Sequence, residues 1–389
     1  MLNSDFDILT KMGEKKMTVV VKDMLDKFGP EETFKKARKV SKEYIYKLRE
    51  QGKISFSEPV EDSYPSIHVV RRTLPEAWED AIMALMGIGM EIHTHYDPTN
   101  KNGEYESFPS LEATVMMHIK EPFGEPRFHK HYLGGWMGFG DYKAEIEGVK
   151  DNWMISPAVV AEKMKQNRFD EIQGDKRWNY MYSQRLRSYP FFDFNGNSGT
   201  INQLKSVINN LKNNPTSRSA QCITWDPRWD HNDEQMDHFK WEHYHAPCLQ
   251  RFWFRLKELK DKPGYVLNIN GHWRSRDLLK AVPSNIFGVT EGIHEEVRRG
   301  LEEALGVPIE RGCYVDINDS LHLYGHYFDP RCQGLDAESY LEDIFRIASG
   351  EPIEKRLIMP GTDMYEMMIE DIEKEYKFRI ENPNFGRNI

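Results

Sequence analysis

Three patterns in the sequence predict an α/β (α+β) fold. Leu111, Ala113, Val115, Met117 and Ile119 alternate with Glu112, Thr114, His118 and Lys120, the two-residue period of a half-buried strand. Phe252, Phe254 and Leu256, then Tyr265, Leu267 and Ile269, alternate in the same way on either side of Asp261-Lys-Pro-Gly264, which reads as a hairpin. From Ile286 through Val289, Ile293, Val297 and Leu301 to Leu305 the apolar spacing is that of a long helix, which Gly306 closes.

The remaining elements follow in chain order. Residues 1–60 read as a helical N-terminal extension. Within it Phe34, Ala37, Ser41, Tyr44 and Leu48 share one helical face behind Gly29-Pro30, with lysines on the other. A second helix opens at Pro75, with Trp78, Ile82, Leu85 and Met86 on one face; Glu79 and Asp80 in its first turns are explicable as charges matched to the helix dipole. Polar and glycine-rich stretches at 94–109 and 121–142 read as loops. The run Gly134-Gly-Trp-Met-Gly-Phe-Gly140 lacks the lysine and hydroxyl of a phosphate loop. Ile201, Leu204, Ile208 and Leu211 predict a helix closed by Asn213-Asn214-Pro215, and further helices are expected near 336–348 and 362–381.

Composition narrows the class. A chain of 389 residues holds one large domain with insertions, or two. No apolar run approaches the length of a membrane span, and Met1-Leu-Asn-Ser-Asp lacks the basic start of a secretory signal. A soluble, cytoplasmic protein is expected. Four widely spaced cysteines (222, 248, 313 and 332) do not form a disulfide framework and suit a reducing compartment. With 52 basic against 62 acidic residues the net charge is −10, which opposes binding to a nucleic-acid backbone and favours a nucleotide monomer as partner.

Candidate chemistry gathers between 244 and 285. Cys248 follows Pro247, and a thiol in such a place is ordinarily a small buried hydrophobe. Arg218 and Arg274, each in a short polar motif, change that reading, because neighbouring guanidinium groups favour the reactive thiolate. His231, His238, His243, His245 and Cys248 are metal-ligand types within eighteen positions. Their spacing fits neither paired-cysteine nor His-Glu-x-x-His sites, so no metal is assigned.

Several ordered pieces resemble the thymidylate synthase superfamily. Asn210-Leu-Lys-Asn-Asn-Pro-Thr-Ser-Arg218 resembles its segment ending in a phosphate-binding arginine, and Ala246-Pro-Cys248 its nucleophile motif. Arg274-Ser-Arg-Asp277 with Val282-Pro-Ser-Asn285 resembles its Arg-Ser-x-Asp and Leu-Pro-Phe-Asn signature, and His322-Leu-Tyr324 its closing His-x-Tyr. The resemblance covers residues 200–327, with weaker similarity back to Tyr182 and to the helix holding Glu79 and Asp80. It implies a large mixed sheet backed by helices across a catalytic domain at 61–389, and a homodimer paired through the sheet face. It implies dUMP and 5,10-methylenetetrahydrofolate as ligands, with Cys248 adding to C6 of the pyrimidine. Arg274, Ser275 and Arg218, the last from across the dimer interface, would hold the 5′-phosphate. Asn285 would read O4 and N3-H of uracil, and His322 and Tyr324 the 3′-hydroxyl. Asp277 would organise base and pterin, Glu79 or Asp80 would move protons, and Tyr182 would assist removal of the C5 proton.

The chain departs from the family pattern at several places. Ser219 replaces a second phosphate arginine, Leu249 the histidine after the cysteine, and Ala281 a glycine. An N-terminal phosphate loop is missing, with Arg71 and Arg72 the nearest substitutes for its arginine. These departures favour a deoxyuridylate hydroxymethylase, in which water meets the methylene carbon on the nucleotide. Thymidylate synthesis is the alternative, and a non-catalytic nucleotide- or nucleic-acid-binding relative is the third reading.

Overall fold

The computed structural model describes residues 14–57, 63–94, 97–155, 180–192, 198–227, 230, 246–332 and 336–386, with a few residues between 159 and 178. The strands are β1 (Ile54–Phe56), β2 (Ser66–Arg71), β3 (Met90–Ile92), β4 (Ser110–Ile119), β5 (Phe128–His129), β6 (Tyr189–Phe192), β7 (Ser198–Ile201), β8 (Gln221–Ile223), β9 (Leu249–Glu258), β10 (Tyr265–Asp277), β11 (Ile309–Leu323) and β12 (Leu357–Ile358). Among the described residues eight of them form one sheet in the order β1-β2-β4-β11-β10-β9-β8, with β3 paired to β4. β2 and β4 are parallel, whereas β1/β2, β3/β4, β8/β9 and β9/β10 are antiparallel. The sheet is therefore mixed, as expected. β5 with β12, and β6 with β7, form two small ladders.

The chain divides into two compact units. One comprises Met1–Leu133, Ser275–Pro283 and Val315–Thr362; the other comprises Gly134–Arg274, Ser284–Tyr314 and Asp363–Ile389.

In the first unit the helix Glu14–Glu50 is interrupted at Gly29, whose φ of 79° only glycine adopts freely. Pro30 then starts the second segment, where its fixed φ suits a first turn. Phe34, Ala37, Ser41 and Leu48 are buried, while Lys35, Lys39, Lys42 and Lys47 face out, as the spacing predicted. The helix Leu74–Ile88 is buried along nearly its whole length. Its N-terminus is capped by Glu76, whose Oε2 accepts the Arg72 and Thr73 amides at 3.0 Å. The first-turn carboxylate that serves the helix end is thus Glu76. Glu79 and Asp80 are not dipole charges, because both point into the interior and carry cationic partners.

Gly87 marks where this helix crosses the N-terminal one. A Cβ there would stand 2.8 Å from the Lys42 amide nitrogen and 2.9 Å from its Cα, backbone atoms that cannot turn aside. Gly87→Ala is expected to destabilise the protein by about 1–3 kcal/mol, despite about 1 kcal/mol of better helix propensity. Chemical denaturation checks this, and an unchanged midpoint would show that the two helices slide apart freely.

In the second unit the glycine-rich stretch expected to be a loop contains the helix Met137–Ile146. A Cβ on Gly140 would meet the Ile372 carbonyl at 2.3 Å, so the glycine admits the helix Asp363–Glu381 rather than making a turn. Asn202 caps the helix Gln203–Asn213 by accepting the Lys205 amide at 2.9 Å. Ile201, assigned to this helix from spacing, instead lies exposed in β7. β9 and β10 form the expected hairpin, Leu256 opposite Leu267 and Phe254 opposite Ile269, with a bulge between His272 and Trp273. The long helix is continuous but not uniform. Val282–Gly288 leads into a π turn at Val289–His294 and then Glu295–Leu305, closed by Gly306 at φ 66°. Buried Thr290 accounts for the wide turn, its hydroxyl donating to the Ile286 and Phe287 carbonyls. Among the described residues no helix is long and apolar enough to cross a membrane.

Candidate active site

Cys248 stands in the second unit where the chain enters β9, and it is half-buried. The backbone around it is fixed from both sides. The Tyr182 hydroxyl accepts the Cys248 and Leu249 amides at 3.2 and 3.3 Å. From β10 the Arg274 amide donates to the Cys248 carbonyl at 2.8 Å, and its guanidinium donates to the Pro247 and Ala246 carbonyls at 3.0 and 2.8 Å. A neutral Gln250 amide closes the turn on Pro247 at 2.9 Å. The β9/β10 pairing thus holds Cys248 and Arg274 on adjoining strands. Arg274 spends Nε and one NH2 hydrogen on carbonyls, which leaves the rest of its fork for an anion.

Tyr182 packs edge-on against Trp273 at 5.8 Å and beside Tyr180 at 5.5 Å. Burial, then the charges that Tyr180, Cys248 and Tyr142 would carry, push its pKa well above the ordinary tyrosine value. It is a neutral phenol, accepting two amides and retaining its own proton.

Arg218 is exposed, in a turn that β9 grips from below. Trp253 donates to the Arg218 carbonyl at 2.9 Å and Arg255 to that of Ser217 at 2.9 Å. Ser219 is engaged locally with Asn210 and Ser217. Asn285 lies in the first turn of Val282–Gly288 and is 7 % exposed. Its amide has no hydrogen-bond partner among the described residues.

The first unit holds the other predicted residues in two clusters. Asp277 ends β10, and its Oδ1 accepts the Leu279 and Lys280 amides at 2.9 and 3.0 Å. Its Oδ2 accepts the Tyr327 hydroxyl at 2.5 Å. His322, buried at the end of β11, meets the Tyr324 ring edge-on at 4.7 Å. Burial lowers the pKa of His322 although the charge of Asp277 opposes it, so the imidazole is neutral at pH 7. Ser275 is half-buried between Arg274 and Arg276, and Arg276 is buried against Asp316.

The second cluster surrounds Glu79. Arg356 grips its carboxylate bidentately at 2.7 and 2.8 Å, and His129 Nε2 lies 3.0 Å from Oε1. Burial would raise the Glu79 pKa, but Arg356 and His129 outweigh it and hold the carboxyl below its usual range. For Asp80 burial prevails over its single partner Arg71, and its pKa rises to about 6. Two adjacent carboxyls are therefore separated by their surroundings.

Neither arginine offered as a phosphate-loop substitute is uncommitted: half-buried Arg71 pairs with Asp80, and Arg72 donates to Glu121 at 2.9 Å. The sequence reading missed His129, Tyr327 and Arg356. Tyr327 lies three residues beyond the His-x-Tyr motif, whereas Arg356 stands 277 positions from Glu79, a separation no local pattern bridges. His231, His238, His243 and His245 fall outside the described residues. Among those described, no group of His, Cys, Asp and Glu side chains is arranged to hold a metal ion.

A half-buried thiol whose turn is held by Tyr182 and Arg274, in a unit that also buries an amide with no described partner, marks this turn as the candidate site. The profile of the thymidylate synthase family matches residues 143–291, a span that includes Tyr182, Arg218, Cys248, Arg274, Ser275, Asp277 and Asn285. A protein of Methanocaldococcus jannaschii is 30% identical over 181 residues, 46% of this chain and 69% of its own length. One from Methanosarcina mazei is 25% identical over 170 residues, 43% and 64% respectively. Both bear the name "Putative thymidylate synthase". The thermostable thymidylate synthase A of Bacillus subtilis matches in structure with a TM-score of 0.43 and 15% identity, over 70% of this chain and 84% of that one. The chain belongs to the thymidylate synthase family. It spans 64% of the length of the Methanosarcina relative.

Proposed function

We propose that this protein transfers a one-carbon unit to C5 of dUMP through a covalent bond between Cys248 and C6, giving 5-hydroxymethyl-dUMP. The observation that carries the transfer is the Cys248 turn, a half-buried thiol whose backbone is held by Tyr182 and Arg274 within the span matched to the family. Attack by the thiolate forms the sulfur–C6 bond at the expense of the C5–C6 double bond and makes C5 nucleophilic; after water has added to the one-carbon unit, elimination restores that double bond, breaks the sulfur–C6 bond and frees the Cys248 thiolate. Arg274 and Ser275, with Arg218 of a second copy, hold the 5′-phosphate, and the exposed turn around Arg218 suits such a contribution. Asn285 reads the uracil edge, while neutral His322 and Tyr324 take the 3′-hydroxyl. Tyr182, kept neutral by burial, assists removal of the C5 proton by orienting the turn whose amides it accepts, and the proton leaves to water.

5,10-Methylenetetrahydrofolate supplies the one-carbon unit when bound. Asp277 fits a pterin: an ionised carboxylate offers about four acceptor directions, and Leu279, Lys280 and Tyr327 take three. The remaining direction suits an N–H group of that ring. Glu79 handles protons among the polar groups of the nucleotide.

The departures at Ser219, Leu249 and Ala281 support hydroxymethylation, whereas the names of the relatives favour methylation to dTMP. Mass analysis of the nucleotide together with near-ultraviolet absorbance of the folate separates them. Hydroxymethylation consumes water, adds CH2O and leaves tetrahydrofolate; methylation adds CH2 and leaves dihydrofolate. The expected result is the CH2O product with no rise in absorbance, and stoichiometric dihydrofolate would assign methylation instead.

A further inference from the structure

We propose that Arg356 and His129 are positioning residues for this reaction, clamping Glu79 so that it, rather than its neighbour Asp80, is the carboxylate that handles protons. The inference rests on the one-carbon transfer proposed above and concerns residues outside the span matched to the family.

The geometry is specific. β5 and β12 form a ladder of two residues each, with Leu357 opposite His129 and the Lys130 amide donating to the Arg356 carbonyl at 2.9 Å. This short ladder brings two side chains 227 positions apart in sequence to one carboxylate. The Arg356 fork donates Nε to Oε1 and NH2 to Oε2 of Glu79, the planar match that fixes a carboxylate in direction as well as place. His129 donates to Oε1 at 3.0 Å. Its tautomer is set by the His131 amide, which donates to Nδ1 at 3.0 Å and leaves the ring proton on Nε2.

Both clamps are themselves held. Arg356 NH1 donates to the carbonyl and to Oε2 of Glu351 at 3.1 Å, and Arg346 donates to the same Oε2 at 2.8 Å. The His129 ring lies 4.9 Å from that of Trp78, whose indole N–H donates to the Leu278 carbonyl at 2.7 Å. Such outer support is what keeps a proton-handling group in its productive orientation.

Three donors occupy three of the roughly four acceptor directions of the carboxylate, so one direction, on Oε2, stays open. The charged and titratable groups around Glu79 support the assignment. Tyr132 and Tyr44 are pushed well above the ordinary tyrosine value, chiefly by burial, and stay neutral. Asp80 faces Arg71 instead and has no second donor among the described residues. Glu79 is therefore an ionised acceptor through the neutral range, while the carboxylate of Asp80 is turned to Arg71.

The 389-residue chain tests this. In Arg356→Gln the buried carboxylate loses its cation, so it takes up a proton at higher pH. The expected result is a kcat lower by about 100-fold at pH 7, a dUMP KM within about threefold of the parent, and an acid limb of the pH–rate profile displaced upward. Arg356→Lys, which keeps the charge without the fork, is expected to be intermediate in both and serves if the glutamine variant does not fold. A limb that moves in Asp80→Asn but in neither Arg356 variant would overturn the proposal, as would unchanged kcat and limb in both Arg356 variants. Trapping the unmutated protein with 5-fluoro-dUMP and methylenetetrahydrofolate tests the underlying reading separately: without a Cys248 adduct the one-carbon transfer itself fails, whereas an adduct with unmoved limbs removes only the role of Arg356.

Discussion

Cys248→Ala is expected to lower turnover of dUMP by about four orders of magnitude or more. The other three thiols cannot substitute. Cys222 is fully buried, and burial raises its pKa far above that of a free thiol. Cys313 donates to the Asn268 side chain at 3.1 Å, and burial raises its pKa and that of Cys332. Nucleotide binding should survive the change, with a dissociation constant within about threefold, because phosphate, base and sugar are assigned to other side chains. Peptide mass analysis after incubation with 5-fluoro-dUMP and methylenetetrahydrofolate should place the adduct on Cys248 alone. Full activity in the alanine variant would remove the covalent mechanism. A parent protein that binds dUMP without forming the adduct would be a binding relative rather than an enzyme.

What could be read from the sequence depended on whether polarity reports burial. β4, the β9/β10 hairpin and the long helix were legible because their buried positions are apolar and their exposed ones are not. β11 was not, although at fifteen residues it is the longest strand described. Its buried positions include Tyr314, Asp316 and Asn318, while Val315 and Ile317 lie on the less buried side, which inverts the usual hydropathy phase. Asp316 is tolerated inside because buried Arg276 pairs with it and Asn318 donates to it at 2.7 Å. The helix Met137–Ile146 was hidden for a different reason: glycine signals a turn on statistics, but Gly140 serves close helix packing. At the site, Cys248, Arg274, Asp277 and Asn285 were legible because they sit in short motifs. The contacts that orient such groups were not: Tyr182 was named, but not its hold on the Cys248 turn 66 positions away, and Arg356, 277 positions from Glu79, was not named at all.

Asn285→Asp is expected to narrow or reverse the preference for dUMP over deoxycytidylate. The amide can present its NH2 to uracil O4 and its oxygen to N3-H, whereas a carboxylate only accepts and suits the cytosine amino group. Burial makes the difference matter. At 7 % exposure and without a described partner, the side chain has little water to satisfy it when the base offers the wrong group. A buried mismatch costs about 1–3 kcal/mol, roughly one to two orders of magnitude in rate. The neighbouring helix turn should be undisturbed, because the two side chains are nearly the same size and Ile286 and Phe287 are buried, the latter against Phe139. The measurement is the ratio of kcat/KM for the two nucleotides in parent and variant. Equal turnover of both by the unmutated protein would show that Asn285 does not read the base, and specificity would then have to come from groups contacting the ring elsewhere.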